Sequence, residues 1–452
     1  MDKFFFKKVE MWLLILTIVF GIVFSILFGS AVRHQLTGGK IFGQFGSYIE
    51  SVALIPQTLR DLIQGKGGKS DLLAREQRFD NKSGFYFNYN SNNKHNLDYL
   101  LLNRYDGDLG YSVSELVDLN SQEKIHTWNF NGIDDLWEKT TFQPPDGELS
   151  VDKPTLRYRN QHAYLTKTGK IIAGDGPLIS INLDSSLNFV NDSFTFHHSI
   201  EADKDGNLWV PVQIYPKTVK IGNDNFHDDG IIKISQSGDV KLKKSVIEIL
   251  DENNLGYLVF GVGEHNANNN NPIHLNDIQP VESDGPHWKK GDIFLSIRNL
   301  SLVVLYRPET NKVLWFKQGP WLHQHDVNII SDHEISIYNN NVKLSTKEYK
   351  VDGVNNIITF NFNTKLTSSP WDEAFEEHDI RTITEGRGRV LHNGIFIEES
   401  DYGRLLFISN KKLLWSYYNR ANDGNIYRVN WSRIISRSLG DEIKKKLLTI
   451  RN

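Results

Sequence analysis

From about residue 85 to 430 the chain is a succession of short runs rich in Ile, Leu, Val, Tyr and Phe, bounded by Gly, Asn, Asp or Ser. LDYLLLNRY, GKIIAGDGPLISINL, GNLWVPVQIY, GDIFLSIRN, LVVLYRP, KVLWFKQG, HEISIYN, GIFIEES and RLLFIS are examples. Branched and aromatic residues suit a half-buried pleated surface, and the punctuation supplies the turns. The core of such a chain has to be built from sheets. A turn of Asp/Asn/Gly type precedes a strand at DGNLWV (205–210), KGDIFLS (290–296), DHEISIY (332–338) and HNGIFIE (392–398). These are read as hairpins, not as calcium loops.

A second phrase, an apolar residue running into tryptophan, recurs at Ile125–Trp128, Val313–Trp315 and Leu413–Trp415. Its spacings are about four and two units of roughly 47–50 residues, near the 40–50 that a four-stranded propeller blade takes. The expected architecture is all-β, a six-bladed β-propeller over 85–430 with the stretch 250–290 as a long insertion. An array of β-sandwiches is the competing arrangement, but consecutive repeats of one length favour a closed ring.

Ahead of this body lies MWLLILTIVFGIVFSILFGSAV (11–32), 22 residues without a charge. That length crosses the hydrocarbon core of a bilayer. Lys3, Lys7 and Lys8 precede it against Asp2 and Glu10, which sets 1–10 in the cytoplasm and everything after Arg33 outside. The segment is read as an uncleaved transmembrane anchor, since the apolar part of a signal peptide is usually about 7–15 residues; Gly29, Ser30 and Ala31 keep cleavage open. This places the chain in the inner membrane by a single pass, with the propeller in the periplasm or outside. Residues 33–84 read as a short helical stalk interrupted by Pro56, and 431–452 as a basic tail or closing helix.

Composition removes several chemistries. With no cysteine there is no disulfide scaffold, thiol nucleophile, iron–sulfur cluster or cysteine-bound zinc. The 51 basic against 55 acidic residues give no electrostatic reason to expect nucleic acid. A homodimer is an assembly that the sequence leaves open.

Histidine is left as the neutral-pH nucleophile, and it is unevenly spread. Eight of the fifteen fall between 197 and 325, in the phrases FHHSIEAD (196–203), PIHLNDIQP (272–280) and LHQHDVN (322–328) and near them. Each phrase precedes a strand start, and the inner strands of a propeller begin around the axial channel, so residues distant in sequence converge there. Strand alternation admits only one of His197 and His198 to that channel. His323 and His325 also have a spacing that suits a metal such as zinc or copper. Glu385, Arg387 and Arg389, with Glu398, Glu399 and Arg404, read as a polar blade end that rims a pocket or ties blades together by ion pairs.

The ordered phrases HHS, HLND, SIRN (296–299) and QHD, with ETNKVLWFKQGPW (309–321) before the last, resemble the bacterial arylsulfotransferase family of the nucleotide-independent type, over roughly residues 155–420. The resemblance implies a six-bladed propeller that moves a sulfuryl group from a phenolic sulfate ester to a phenolic acceptor. The transfer would be ping-pong through a sulfohistidine, with no cofactor and no nucleotide donor. Carried over by position, it implies His325 as nucleophile, His274 and His197 or His198 as supporting histidines, and Arg298 as the sulfate clamp. Asp326 is a candidate to orient the His325 ring, although neighbours on a strand face opposite sides. The family's HHD phrase reads HHS here, one carboxylate fewer. The alternative is a non-catalytic, membrane-anchored binding or scaffold propeller. The two separate by geometry: His274, His325, Arg298 and one of His197 and His198 must converge.

Overall fold

The computed structural model describes residues 10–36, 72–89, 97–132, 158–174, 176–219, 226–261, 271–344 and 349–451, with 48–49, 52–53 and 55–56. Contacts divide the chain into a unit Met1–Ser70 and a unit Asp71–Asn452. In the first, one helix runs Met11–Leu36, apolar on all sides, exposed, and long enough to cross a membrane. Most of the expected stalk lies outside the described residues.

The second unit is an all-β propeller. Its strands form antiparallel sheets whose neighbours follow chain order. Four of these are single blades of four or five strands. One contains Leu275–Pro280, Ile293–Ile297, Leu302–Arg307 and Lys312–Gln318; the next contains His325–Ile329, Glu334–Asn339, Asn356–Asn361 and Thr367–Ser368. An eight-stranded sheet runs from Tyr164–Leu165 to Val240–Ser245, with the short strand Glu201–Ala202 paired to Leu208–Gln213. The recurring Asp/Asn/Gly turns each lead into the strand after the innermost: Leu208–Gln213, Ile293–Ile297, Glu334–Asn339 and Gly394–Glu399.

Both ends of this unit enter sheets begun elsewhere. Gly84–Phe87 pairs with Lys412–Tyr418, placing Phe87 opposite Trp415. Arg433–Ile435 pairs with Tyr99–Asp106, placing Ile435 opposite Tyr99. The propeller therefore extends past both expected borders, 85 and 430, and the "tail" opens with a strand. A helix, Arg437–Arg451, follows and buries Ile443 and Leu447. Gly440 permits that docking, because a Cβ there would sit 2.0 Å from the Tyr99 ring. These two pairings, of the first strand with Lys412–Tyr418 and of the last with Tyr99–Asp106, close the ring without any cysteine.

Two further expectations are corrected. The stretch 250–290 is not one insertion, since it contains the innermost strand Leu275–Pro280; helices Val246–Glu252 and Tyr257–Phe260 occupy only its start. Trp315 and Trp415 hold equivalent places, each beside a bulge, at Leu305/Tyr306 and Phe407/Ile408. The equivalent of both in the earlier blade is His126, opposite Leu116, so Trp128 lies two residues further along its strand. The phrase repeats, but not in strict register.

Packing follows the layer order. Middle strands such as Ile293–Ile297 are buried on every residue, being sandwiched between adjacent sheets. The outermost strand Lys312–Gln318 alternates exposed and half-buried, with one face in water.

Buried carboxylates stitch one sheet to the next, Asp277 and Asp326 from innermost strands and Glu398 from the strand after. Asp277 accepts the N–H of Val327 (2.8 Å), Asp326 that of Gly388 (3.0 Å), and Glu398 those of Trp431 and Ser432 (both 2.7 Å). Arg387, fully buried, reaches Glu201 and Asp326, and Arg433 reaches Glu201 at 2.8 Å. Arg387, Arg433, Glu201 and Asp326 are tolerated at this depth because they are paired, whereas Asp277 and Glu398 form no ion pair among the described residues and burial pushes both carboxyls up, towards the neutral form.

Candidate functional site

Six residues just ahead of an innermost strand share a left-handed backbone: His162, His198, His274, His323, Glu385 and Trp431, with φ between 51 and 58°. That region is disfavoured for any side chain bearing a Cβ, by roughly 1–2 kcal/mol, so its recurrence marks one structural position met six times. It turns the chain into the strand and sets the first side chains around a common centre. Glu201, Asp277 and Asp326 each come three residues after the turning histidine and join the stitching below.

Four histidines and Arg298 meet at this level. The rings of His198 and His274 are 5.0 Å apart in edge contact, and His162 lies 6.1 Å from His198. His325 opens its strand, fully buried. Arg298 begins the one-turn helix Arg298–Leu300 after Ile293–Ile297, with its guanidinium 6.0 Å from the Tyr349 ring. Its Nη1 donates to Asn299 Oδ1 at 2.8 Å, while its Nε has no hydrogen-bond partner. Its charge acts on His325, His274, His198 and His323 alike.

Burial, then Arg298, holds the His325 imidazole down at about 3. Burial, then His325 and Arg298, brings His198 to about 3 also, and burial with His198 and Arg298 keeps His274 well below the ordinary range. All three rings are therefore neutral at pH 7, which gives each one N–H and one lone pair.

Two asparagines decide which nitrogen is which. Asn340 donates its amide to the carbonyls of Thr382 (3.2 Å) and Glu385 (2.8 Å), which turns its Oδ1 to His325 Nδ1 at 2.7 Å. His325 must then donate from Nδ1, and its Nε2 carries the lone pair. Asn271 is held the opposite way: its Oδ1 accepts the His274 N–H at 3.0 Å and its amide donates to His274 Nδ1 at 2.7 Å. His274 consequently carries its proton on Nε2. One ring offers a nucleophilic nitrogen and its neighbour a hydrogen-bond donor.

Of the adjacent pair, His198 faces the cluster, while His197 lies behind it with Nδ1 2.8 Å from His198 Nδ1. Asp326 does not orient His325, because both its oxygens are engaged by Gly388 and Arg387. His323 is half-buried beside Tyr349, its ring 5.6 Å away. Among the described residues no group of three His, Asp or Glu side chains is placed to hold a metal ion.

Several contributors were not singled out in the sequence. His162 is fully buried, stacked 3.6 Å over Trp431, and neither ring nitrogen has a partner. Its phrase QHAYL has the same form as the others, a histidine one to three residues before a strand, and could have been found by that rule. Arg159 forms a double hydrogen bond with Glu385, both at 2.9 Å. Asn340 sits in the run YNNN, which reads as an ordinary turn. The polar blade end after Glu385 proves to be an ion network: Arg404 and Arg78 bind Glu399, and Arg387 lies at the axis.

A family model described as Arylsulfotransferase (ASST) matches residues 178–420, more than half of the chain. The protein belongs to the arylsulfotransferase family. That membership supports an arylsulfotransferase-like enzyme in general terms. No curated protein matches the chain. Solved structures with some likeness include a protein of unknown function from Bacteroides caccae, 11% identical over 71% of this chain and 93% of that one, with a TM-score of 0.41. A streptogramin B lyase is 12% identical over 77% and 98%, with a TM-score of 0.37. AztD from Citrobacter koseri is 9% identical over 73% and 96%, with a TM-score of 0.34. Likenesses this low say nothing about the chemistry of this family member.

Proposed function

We propose that this arylsulfotransferase moves a sulfuryl group from a phenolic sulfate ester to a phenolic acceptor through a covalent sulfohistidine at His325. The observation that carries the reading is the Asn340–His325 hydrogen bond, which leaves a neutral ring with its Nε2 lone pair bare. In the first half-reaction Nε2 attacks sulfur, the N–S bond forms and the ester S–O bond breaks. Arg298 stays charged and is planar, so it can hold two of the sulfuryl oxygens as charge gathers on them. His274 Nε2–H donates to a third oxygen. The departing phenolate takes a proton from one nitrogen of His198 while the other, 2.8 Å from His197 Nδ1, takes one up, so that no imidazolate is left. The acceptor phenol then runs the same steps backwards, returning its proton, so no nucleotide or other cofactor enters.

The six left-handed turns favour six blades, the eight-stranded sheet being two blades joined edge to edge. The helix Met11–Leu36 is the membrane anchor, with the propeller on the far side of the inner membrane from the lysine-rich N-terminus.

The test is incubation with 4-nitrophenyl sulfate, with and without a phenol. The expected result is nitrophenol release that depends on the phenol, sulfated phenol as product, and a sulfuryl mass adduct on the peptide containing His325. Release without an adduct on that peptide overturns the mechanism. Replacing Asn340 with alanine frees the ring to take either tautomer. A fall in kcat of about 10–100-fold with a smaller change in KM is expected, read by steady-state kinetics on the same donor.

A further inference from the structure

The HHS phrase lacks a neighbouring carboxylate, and the fold supplies one from another strand. Asp229 opens the strand Asp229–Ile234 and is buried. Its Oδ2 accepts the N–H of Leu275 at 2.7 Å, next to His274, and its Oδ1 lies 3.6 Å from His197 Nε2. His197 Nδ1 in turn meets His198 Nδ1 at 2.8 Å. The His197 Nε2 atom has no hydrogen-bond partner, and gaps of this size in catalytic pairs often tighten once substrate is bound. Besides His198, the ionisable group acting on His197 is His227, whose Nδ1 meets Gln213; Asp228, whose carboxylate is taken up by Thr218 and Ser245, acts on Asp229. The geometry is a line from a buried carboxyl group through two imidazoles to the reacting centre.

We propose, resting on the sulfohistidine reading above, that Asp229 and His197 form a proton relay that stores the reaction's proton between the two half-reactions. In the first, the phenolate oxygen takes the proton from His198 Nε2. His198 Nδ1 takes one from His197 Nδ1, His197 Nε2 takes one from Asp229 Oδ1, and Asp229 is left as carboxylate. In the second, the acceptor's proton travels back and Asp229 ends protonated. Each ring gains one proton as it loses another, so neither becomes an imidazolium. That suits their surroundings: burial holds His198 at about 3 and His197 well below the ordinary value. Burial, offset by the Leu275 N–H and reinforced by Asp228, pushes Asp229 up to about 7, so both of its forms are accessible near neutrality. Asp229 and His197 are positioning residues, since neither touches substrate.

The relay is tested with Asp229→Asn and His197→Gln in the full chain, by following adduct formation in single turnovers with two donors. The 4-nitrophenolate of one leaves readily unprotonated; the phenolate of phenyl sulfate needs a proton. Asparagine keeps an acceptor for the Leu275 N–H, and glutamine keeps most of the packing. The expected loss with phenyl sulfate is about 100-fold, at least tenfold larger than with 4-nitrophenyl sulfate, and the double variant loses no more than either single. An equal loss on both donors means a structural role and overturns the relay. So does no loss on either. A wild-type protein that forms no adduct on His325 overturns the parent reading and the relay with it, which distinguishes the two failures.

Discussion

Replacing His325 with alanine is expected to abolish both the sulfuryl adduct and transfer, a loss of at least about 10³-fold in kcat/KM. The size follows from chemistry: no other group in the cluster combines a bare lone pair with a fixed direction. His274 is held as a donor by Asn271. The fold should survive, because Asn340 keeps its two carbonyl partners and loses only the bond from the imidazole, a cost of about 1–3 kcal/mol. Circular dichroism and thermal unfolding separate this from collapse. Retention of transfer, or an adduct on another residue, would remove His325 from the mechanism.

The second large effect belongs to Arg298. Arg298→Ala is expected to lower kcat/KM by about 10²–10³-fold, and Arg298→Lys to recover only part of it, since an ammonium is a point charge that cannot grip two oxygens at once. Arg298 forms no carboxylate ion pair among the described residues, so its removal leaves no buried anion behind and the change should appear in catalysis. Steady-state kinetics on 4-nitrophenyl sulfate, with thermal unfolding as control, decides it. A loss of stability with unchanged kcat/KM in the folded fraction would make Arg298 a packing residue.

Much of the arrangement was legible because the phrases HHS, HLND and QHD sit where the chain turns into an innermost strand, and such turns converge in a ring; SIRN lies instead where a second strand ends. That rule brings His274 and His325 towards one centre, whereas Arg298 comes from the family resemblance alone. His162, in QHAYL, follows the same rule but lies outside the stretch 197–325 where the histidines concentrate. Asn340 and Asn271 could not be found: an asparagine in YNNN or at the end of an Asn-rich run carries no mark of what its amide will face. Asp326 was given a role next to His325 because it is next in sequence. The pleat turned it away, and it became a tie to Gly388 and Arg387.

By itself the sequence determined the sheet-built body, the apolar helix ahead of it and the set of phrases that carry the family, because strand composition, turn residues and apolar length are local properties. The tertiary structure alone decided how the ring closes, which of two adjacent histidines faces the centre, and which nitrogen of each imidazole holds the proton. Those outcomes depend on hydrogen bonds between residues far apart in the chain, such as Asn340 with Thr382 and Glu385, and Arg433 with Glu201. No spacing along the sequence encodes them; they exist only once the strands have been brought round to one axis.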